Sequence, residues 1–487
     1  MSMLTFTPAR VDPLRLIGGL IGPALFLFTW MVAPAYLGLG VMLWLATYWA
    51  CGVVPVIYTA LIPILGFSLM GVDPKTIFLS FFHPALLLIV GPTLVIVAAV
   101  HCGLMDRMAQ FFIRRVGPSV RAQTVFWLVF ATIISDFAAD VVIALALIPI
   151  VIKLLNRAGF HTVQQMAASK EAMLLIIATS IGAGLGGILT PMAGGQAAIT
   201  WVALNKALGG EVTALSFTLR MLLPTTVCLG IIATIFALLA PSRKSFNFGP
   251  IPGGRSLAYP VEQVVTFGRV PWSRHEKVVA VLFALAICLP YVRPWLPFSL
   301  PWIYTGLLVV TLLLWIPGVG MVLPIKALKE FPLSAVSVWP IAMSVSVLVG
   351  VTGTGQQVLN LVGNFWAADP WVAVGTWIAL CVSMAQVASD TGTAGMLIPI
   401  LGDALPKVGI NPVPWIMMTG FAVDLSFMVP TATGTIGVLY ALGGRSHFRL
   451  PLYGFLCAAS CGLFAWVFWS LVIANQWSFW YSLDVIK

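Results

Sequence analysis

Charge is what this sequence has least of. Of its 487 residues, 25 are Lys or Arg and 15 are Asp or Glu, together 8%, against about 25% in a soluble domain. A compact soluble globule needs a charged skin, so soluble enzymes, nucleic-acid binders and disordered chains are excluded. Cysteine supplies no framework either. The seven are scattered through apolar stretches, and none pairs at zinc-like spacing with a nearby His. They read as small packing residues, which excludes a secreted disulfide scaffold.

What abounds is apolar surface, in 60% of the residues. Membrane spans of about 20 apolar residues each absorb that excess in roughly ten to twelve helices. The runs are continuous and longer than the tilted strands of a membrane barrel, so the fold class is all-α and polytopic. The net charge of +10 fits the positive-inside bias of such a protein in a lipid bilayer, with no nucleic acid as partner. Arg10 and Arg15 precede the first run, Leu16–Val32, and Ala33-Pro34-Ala35 follows it. A Pro inside that triplet and a long polar lead favour a retained span over a cleaved signal.

The spans fall into two groups, residues 1–239 and 278–487. Between them, 240–277 holds Arg243, Lys244, Arg255, Arg269, Arg274 and Lys277 and reads as a cytoplasmic connector. A second basic cluster, Arg107, Arg114, Arg115 and Arg121, reads as cytoplasmic too. The halves echo each other. Ser135-Asp136-Phe137-Ala138-Ala139-Asp140 precedes Ile148-Pro149-Ile150, and Ser389-Asp390-Thr391-Gly392-Thr393 precedes Ile398-Pro399-Ile400. Pro191-Met192-Ala193-Gly194-Gly195 and Pro430-Thr431-Ala432-Thr433-Gly434 follow in the same order. This reads as an internal, inverted two-fold repeat.

Phe126–Ile134 and Val141–Ile150 are apolar arms of nine and ten residues, each about half a bilayer long at 1.5 Å per residue. With the polar tip 135–140 between them they read as a re-entrant hairpin. Trp371–Ala388 and Met396–Leu401 around the tip 389–393 read as a second one. Such tips are tolerated only where protein or a wet cavity satisfies the backbone. The stretches Gly182–Gly195 and Pro430–Gly437 are poor continuous helix and read as broken helices. Half-helix N-termini there suit an anion, and freed carbonyls suit a small cation.

An ionised Asp at mid-membrane costs roughly 2.5–3.5 kcal/mol on insertion scales. A chain with 15 acids has little reason to place several there without use. Asp136 and Asp390, with Ser135, Ser389 and Thr391, are therefore candidate ligands of a coupling ion, with sodium possible at Asp136 and Asp390. Asp140 serves equally as ligand or as helix cap, and Asp424 precedes the second break. Gln196, Thr190, Thr391, Thr393, Thr433 and Thr435 cluster at the breaks and are the candidate substrate contacts. No cofactor is expected beyond a coupling ion, sodium or proton.

The layout resembles the divalent anion:sodium symporter family of the ion transporter superfamily. That family carries Ser-Asn-Thr at two hairpin tips and a Thr-Pro-Pro-Asn-like break after each. Ser135-Asp136-Phe137 and Ser389-Asp390-Thr391 fall where the tips belong, and Thr190-Pro191-Met192 and Ala432-Thr433-Gly434 where the breaks belong. Asp424-Leu425-Ser426-Phe427-Met428-Val429-Pro430 is similar to the family's Ser-Phe-Met-Leu-Pro run, and Leu87–Val116 to its fourth helix. The resemblance implies about eleven transmembrane helices in a homodimer. It also implies a scaffold, an elevator-type transport domain, sodium beside each tip and a small dicarboxylate between them.

The departures carry chemistry. Both tip Asn residues become Asp, and both Pro-Pro-Asn breaks are lost. An ionised Asp about 5 Å from a substrate carboxylate repels it by some 3 kcal/mol at an effective dielectric near 20. Either the Asp is protonated, or sodium screens it, or the substrate is not an anion. The expected function is cation-coupled symport of a small organic anion in the plasma membrane of a prokaryote. An antiporter or uniporter of the same fold is the nearest alternative. An intramembrane aspartyl protease is a remote one: Asp403 lacks a Gly two places before it, and no Tyr precedes Asp136 or Asp390.

Overall fold

The computed structural model describes residues 13–51, 53–105, 107–108, 116–241, 244–246, 272–316, 337–354, 369–429, 432–436 and 449–486. Most of the connector, and with it Arg243, Arg255 and Arg269, lies outside them, as do Arg114, Arg115, Pro430, Thr431 and Gly437. The protein is all-α and polytopic, with one two-residue ladder, Glu211–Val212 against Val485–Ile486. Five described helices are long and apolar enough to cross a bilayer: Arg15–Val32, Lys170–Ile188, Ala214–Leu239, Arg274–Trp295 and Pro451–Ala474. Shorter apolar helices fill in between, among them Leu87–His101, Val120–Ser135 and Val413–Val423.

These helices are sorted by what surrounds them. Arg15–Val32 is only 17% buried and turns Leu20 and Met31 outward, whereas Lys170–Ile188 is 94% buried. The first therefore turns an apolar face outward, and the second runs through the middle of the protein. Ion pairs sit toward the ends of the helices. Arg107 holds Glu276, in the first turn of Arg274–Val292, through two nitrogens, with 2.9 Å from Nη2 to Oε1. At the other end of that helix Arg293 holds Glu211 at 2.8 Å. Lys244 meets Glu171 at 2.5 Å.

The first hairpin comprises Val120–Ser135 and Asp140–Arg157, of 16 and 18 residues. Both arms are longer than the nine- and ten-residue apolar runs, which corrects the expectation of half-bilayer arms. The helix continues because its polar residues find partners within reach. Gln123 donates to the Gly117 carbonyl at 2.6 Å, and Thr124 to that of Val120 at 2.8 Å. The second hairpin comprises Pro370–Ala388 and Asp390–Ala404. Asp369 caps its first arm with Pro370 at the first helical position, a preorganised start.

The first break is an interruption; of the second, the described residues 432–436 include a helical turn at 434–436. Lys170–Leu185 tightens into a 3₁₀ turn at Gly186–Ile188, and helix resumes at Gly195–Leu208. Val413–Val423 stops at Asp424, and the backbone is irregular from 425 to 429. Glycine is required at this first break by close packing. A Cβ on Gly182 or Gly186 would strike the carbonyl oxygen of Leu128 or Thr132 in the neighbouring hairpin arm. The second arm Asp390–Ala404 packs on Gly195–Leu208 and Val413–Val423, so both halves meet at the centre.

Candidate functional site

Each second arm begins with an Asp, and each Asp is fastened to a break in the same way. The Asp140 amide donates to the Ala193 carbonyl at 3.1 Å, and the Asp390 amide to the Ala432 carbonyl at 2.9 Å. Each carboxylate also accepts from the next amide, Val141 at 2.6 Å in one and Thr391 in the other. A carboxylate in the first turn of a helix is favoured by the free amides and the dipole there. The residue of the first half that stands where Asp390 stands is therefore Asp140. This corrects the matching of Asp136 with Asp390. The sequence did hold the right register: Asp140 lies nine residues before Pro149, and Asp390 nine before Pro399. Helical spacing is conserved between the arms; the two Ser-Asp dipeptides coincide only in letters.

Asp136 ends the first arm instead, at the carbonyl end of its helix. Thr190 donates its hydroxyl to the Asp136 carbonyl oxygen, fixing the first tip on the first break. Ser135 donates to the Ala183 carbonyl at 2.6 Å. The Asp136 Oδ1 atom is buried and has no hydrogen-bond partner. At the second tip, Ser389 accepts from the Gly392 amide at 3.1 Å as the helix cap.

Four carboxylates are thus buried near one another: Asp136, Asp140, Asp390 and Asp424 are 6%, 3%, 6% and 2% exposed. Asp390 acts on Asp140 electrostatically, and Asp390, Asp140 and Asp136 all act on Asp424. The Thr433 hydroxyl lies between Asp140, 3.5 Å from its Oδ2, and Asp390, with the Thr435 hydroxyl 3.5 Å behind it. Among the described residues, no three His, Cys, Asp or Glu side chains close on a single point as metal ligands. A small cation here would complete its oxygen shell with hydroxyls and carbonyls, as hard cations do.

Gln196 occupies the junction. Its Nε2 donates to Asp424 Oδ1 at 2.7 Å and to the Gly187 carbonyl at 3.1 Å, and its Oε1 accepts from Thr391 at 3.2 Å. One amide therefore joins the first break, the second break and the second tip. Gln196 thus links residues of the two halves. Sequence reasoning missed this pairing because 228 residues separate Gln196 and Asp424. Thr393 is fully buried, and its hydroxyl has no partner. Gln386 donates to the Leu425 carbonyl at 3.2 Å and accepts from the Met428 amide at 2.9 Å, pinning the second break. The helix Gly195–Leu208 begins without a side-chain cap. A Cβ on Gly195 would lie 2.7 Å from Thr391 Oγ1, so its bare N-terminus adjoins the second tip.

A polytopic helical protein with a broken helix and a buried set of carboxylates at its centre has the architecture of a membrane transporter, the class to which its family and relatives belong. Residues 24–420 match the family described as Citrate transporter (CitMHS), and the chain belongs to that family. It is also similar to the sodium-dependent dicarboxylate transporter SdcS of Staphylococcus saprophyticus. The two are 22% identical over 467 residues, which covers 91% of this chain and 88% of the relative. The protein of that name from a Staphylococcus aureus strain is 23% identical over 470 residues, with the same coverage. The resemblance read from the tips and breaks thus agrees with relatives matched along nearly the whole chain.

Proposed function

We propose that this protein is a secondary active transporter that carries a small carboxylate together with sodium across the plasma membrane of a prokaryote. The observation that carries the reading is the convergence of two buried carboxylates, Asp140 and Asp390, on the one hydroxyl of Thr433. Carboxylates buried together in a low-dielectric interior call for cations. Sodium at Asp140 and Asp390 supplies two positive charges, with Ser135 and Asp136 beside the first site and Ser389 and Thr391 beside the second. The cations then offset the repulsion that these acids would exert on an anionic substrate.

The substrate lies between the second tip and the bare N-terminus of Gly195–Leu208, where amides and a positive dipole end favour a carboxylate. Thr391, Thr393, Thr433 and Thr435 border this place, with Gln196 and Thr190 holding the breaks around it. Transport follows an elevator path in a homodimer of about eleven spans per protomer, the two re-entrant hairpins travelling against a scaffold. The inverted repeat, with halves at 1–239 and 278–487, provides the two related faces that alternating access needs.

Uptake of radiolabelled succinate and citrate into vesicles holding the purified protein tests this. Uptake is expected to require an inward sodium gradient and to stop when choline replaces sodium. Uptake driven by a pH gradient without sodium would reassign the coupling ion to the proton. Uptake that ignores both gradients would make the protein a uniporter or an exchanger.

A further inference from the structure

Two tryptophans from outside the hairpins press on glycines at the second tip and the first break. Trp49 lies in the helix Leu37–Cys51. A Cβ built on Gly392, in the first turn of the second arm, would strike its ring, with 2.5 Å to Cε3. Trp339 lies in the helix Val338–Thr352. A Cβ on Gly195 would strike that ring too and lie 2.7 Å from Thr391 Oγ1. Both tryptophans are buried. The Trp49 Nε1 donates to the Thr59 hydroxyl at 2.9 Å, which fixes the ring against the glycine. Three residues beyond Gly392, a Cβ on Gly395 would lie 2.8 Å from the Ala342 carbonyl oxygen.

Val338–Thr352 packs on Leu37–Cys51, Leu61–Leu69 and Pro74–Ser80, all outside the hairpins, and along the second arm Asp390–Ala404. That arm packs in turn on Gly195–Leu208 and Val413–Val423. The contact between these two groups of helices therefore falls on the backbone of the second tip and on the uncapped start of Gly195–Leu208. Gly392 supplies the amide that Ser389 caps, two residues after Asp390. Glycine lets backbone and ring approach this closely, and an indole is a large, stiff surface.

We infer that Trp49 and Trp339 are positioning residues of the transport site. Trp49 sets where the second tip stands, and with it Asp390. Trp339 sets the start of Gly195–Leu208 against Thr391. The inference rests on the sodium-coupled reading above. Each indole acts through the glycine that rests on it, without touching ion or substrate.

The test is sodium-driven uptake of radiolabelled succinate or citrate, whichever the wild type carries, by the purified full chain in vesicles. Trp49→Leu removes the flat ring and keeps an apolar side chain, and Trp49→Phe restores a ring. Gly392→Ala leaves Trp49 intact and pushes the tip off it. Trp49→Leu and Gly392→Ala are each expected to raise the sodium concentration for half-maximal uptake about tenfold or more, because a misplacement of about 1 Å in a positioned site costs up to about 100-fold. Trp49→Phe is expected to stay within about threefold of wild type, and Trp339→Leu to raise the substrate KM at saturating sodium by about tenfold. A purely structural loss would lower the amount of active protein, and so the maximal rate, and leave both constants unchanged. Thermal melting identifies the folded variants; if Gly392→Ala fails to fold, Trp49→Leu against Trp49→Phe decides. Wild-type constants in folded Trp49→Leu and Trp339→Leu, or an effect of Trp49→Phe as large as that of Trp49→Leu, would overturn the inference and leave the transport reading standing. Wild-type uptake that needs no sodium would overturn the sodium-coupled reading itself.

Discussion

At the first tip the chain takes four residues, 136–139, to pass from one arm to the next; at the second it takes one, Ser389. The first turn keeps ordinary backbone, with Ala139 at φ −51° and ψ 124°. The second forces Ser389 to φ 68° and ψ 156°, a region that glycine enters freely and other residues do not. Beyond these turns the geometry is shared: an Asp amide on a break carbonyl, and an Asp carboxylate on the next amide. What is constrained is the anchoring of the second arm on its break. The turn that leads to it is free to vary, and the spare length of the first turn carries one more acid, Asp136.

The largest effects are expected from the anchoring acids. Asp390→Asn and Asp140→Asn each remove a buried charge that the account assigns to cation holding. Truncating one partner of a buried charge pair costs about 2 kcal/mol or more. Sodium affinity, read from the concentration dependence of uptake, is therefore expected to fall by roughly 30-fold or more in each. If only one of the two variants responds, the tips are not equivalent.

An effect of about 1–3 kcal/mol on stability is expected from Gln196→Ala, which strips Asp424 of its donor and Thr391 of its acceptor. Thermal melting in the absence of sodium reads it, and an unchanged melting temperature would show that this link is unimportant.

The smallest effects compare the turns directly. Ser389→Gly is expected to raise stability by about 1 kcal/mol, because relief of strain exceeds the few tenths lost at the cap. Ala139→Gly, at an ordinary backbone position, is expected to lower it by about 0.5–1 kcal/mol. Equal signs for the two would remove the contrast between the tips.

Much of this was legible in the sequence, and for physical reasons. Scarce charge and long apolar runs specify a bilayer. Gly182–Gly195 announces a break because several of its residues are poor helix formers. The register of the first tip was open to misreading because Ser135-Asp136 and Ser389-Asp390 match as letters, while Asp140 and Asp390 match in distance to a helical Pro. Arm length was understated because Gln123 and Thr124 extend a membrane helix by satisfying themselves locally. The Gln196–Asp424 bond has no local signal, being purely tertiary. Nor does a Ser announce the left-handed turn at position 389.

The central claim is that Asp140, and not Asp136, is the partner of Asp390. A double-mutant cycle on sodium-driven uptake tests it, with Asp→Asn changes at 140 and 390 in one cycle and at 136 and 390 in the other. Residues sharing one site couple by roughly 0.5–3 kcal/mol, whereas independent sites add within about 0.3–0.5 kcal/mol. The account predicts coupling of about 1 kcal/mol or more for 140 with 390 and near-additivity for 136 with 390. Additivity in the first cycle with strong coupling in the second would contradict it.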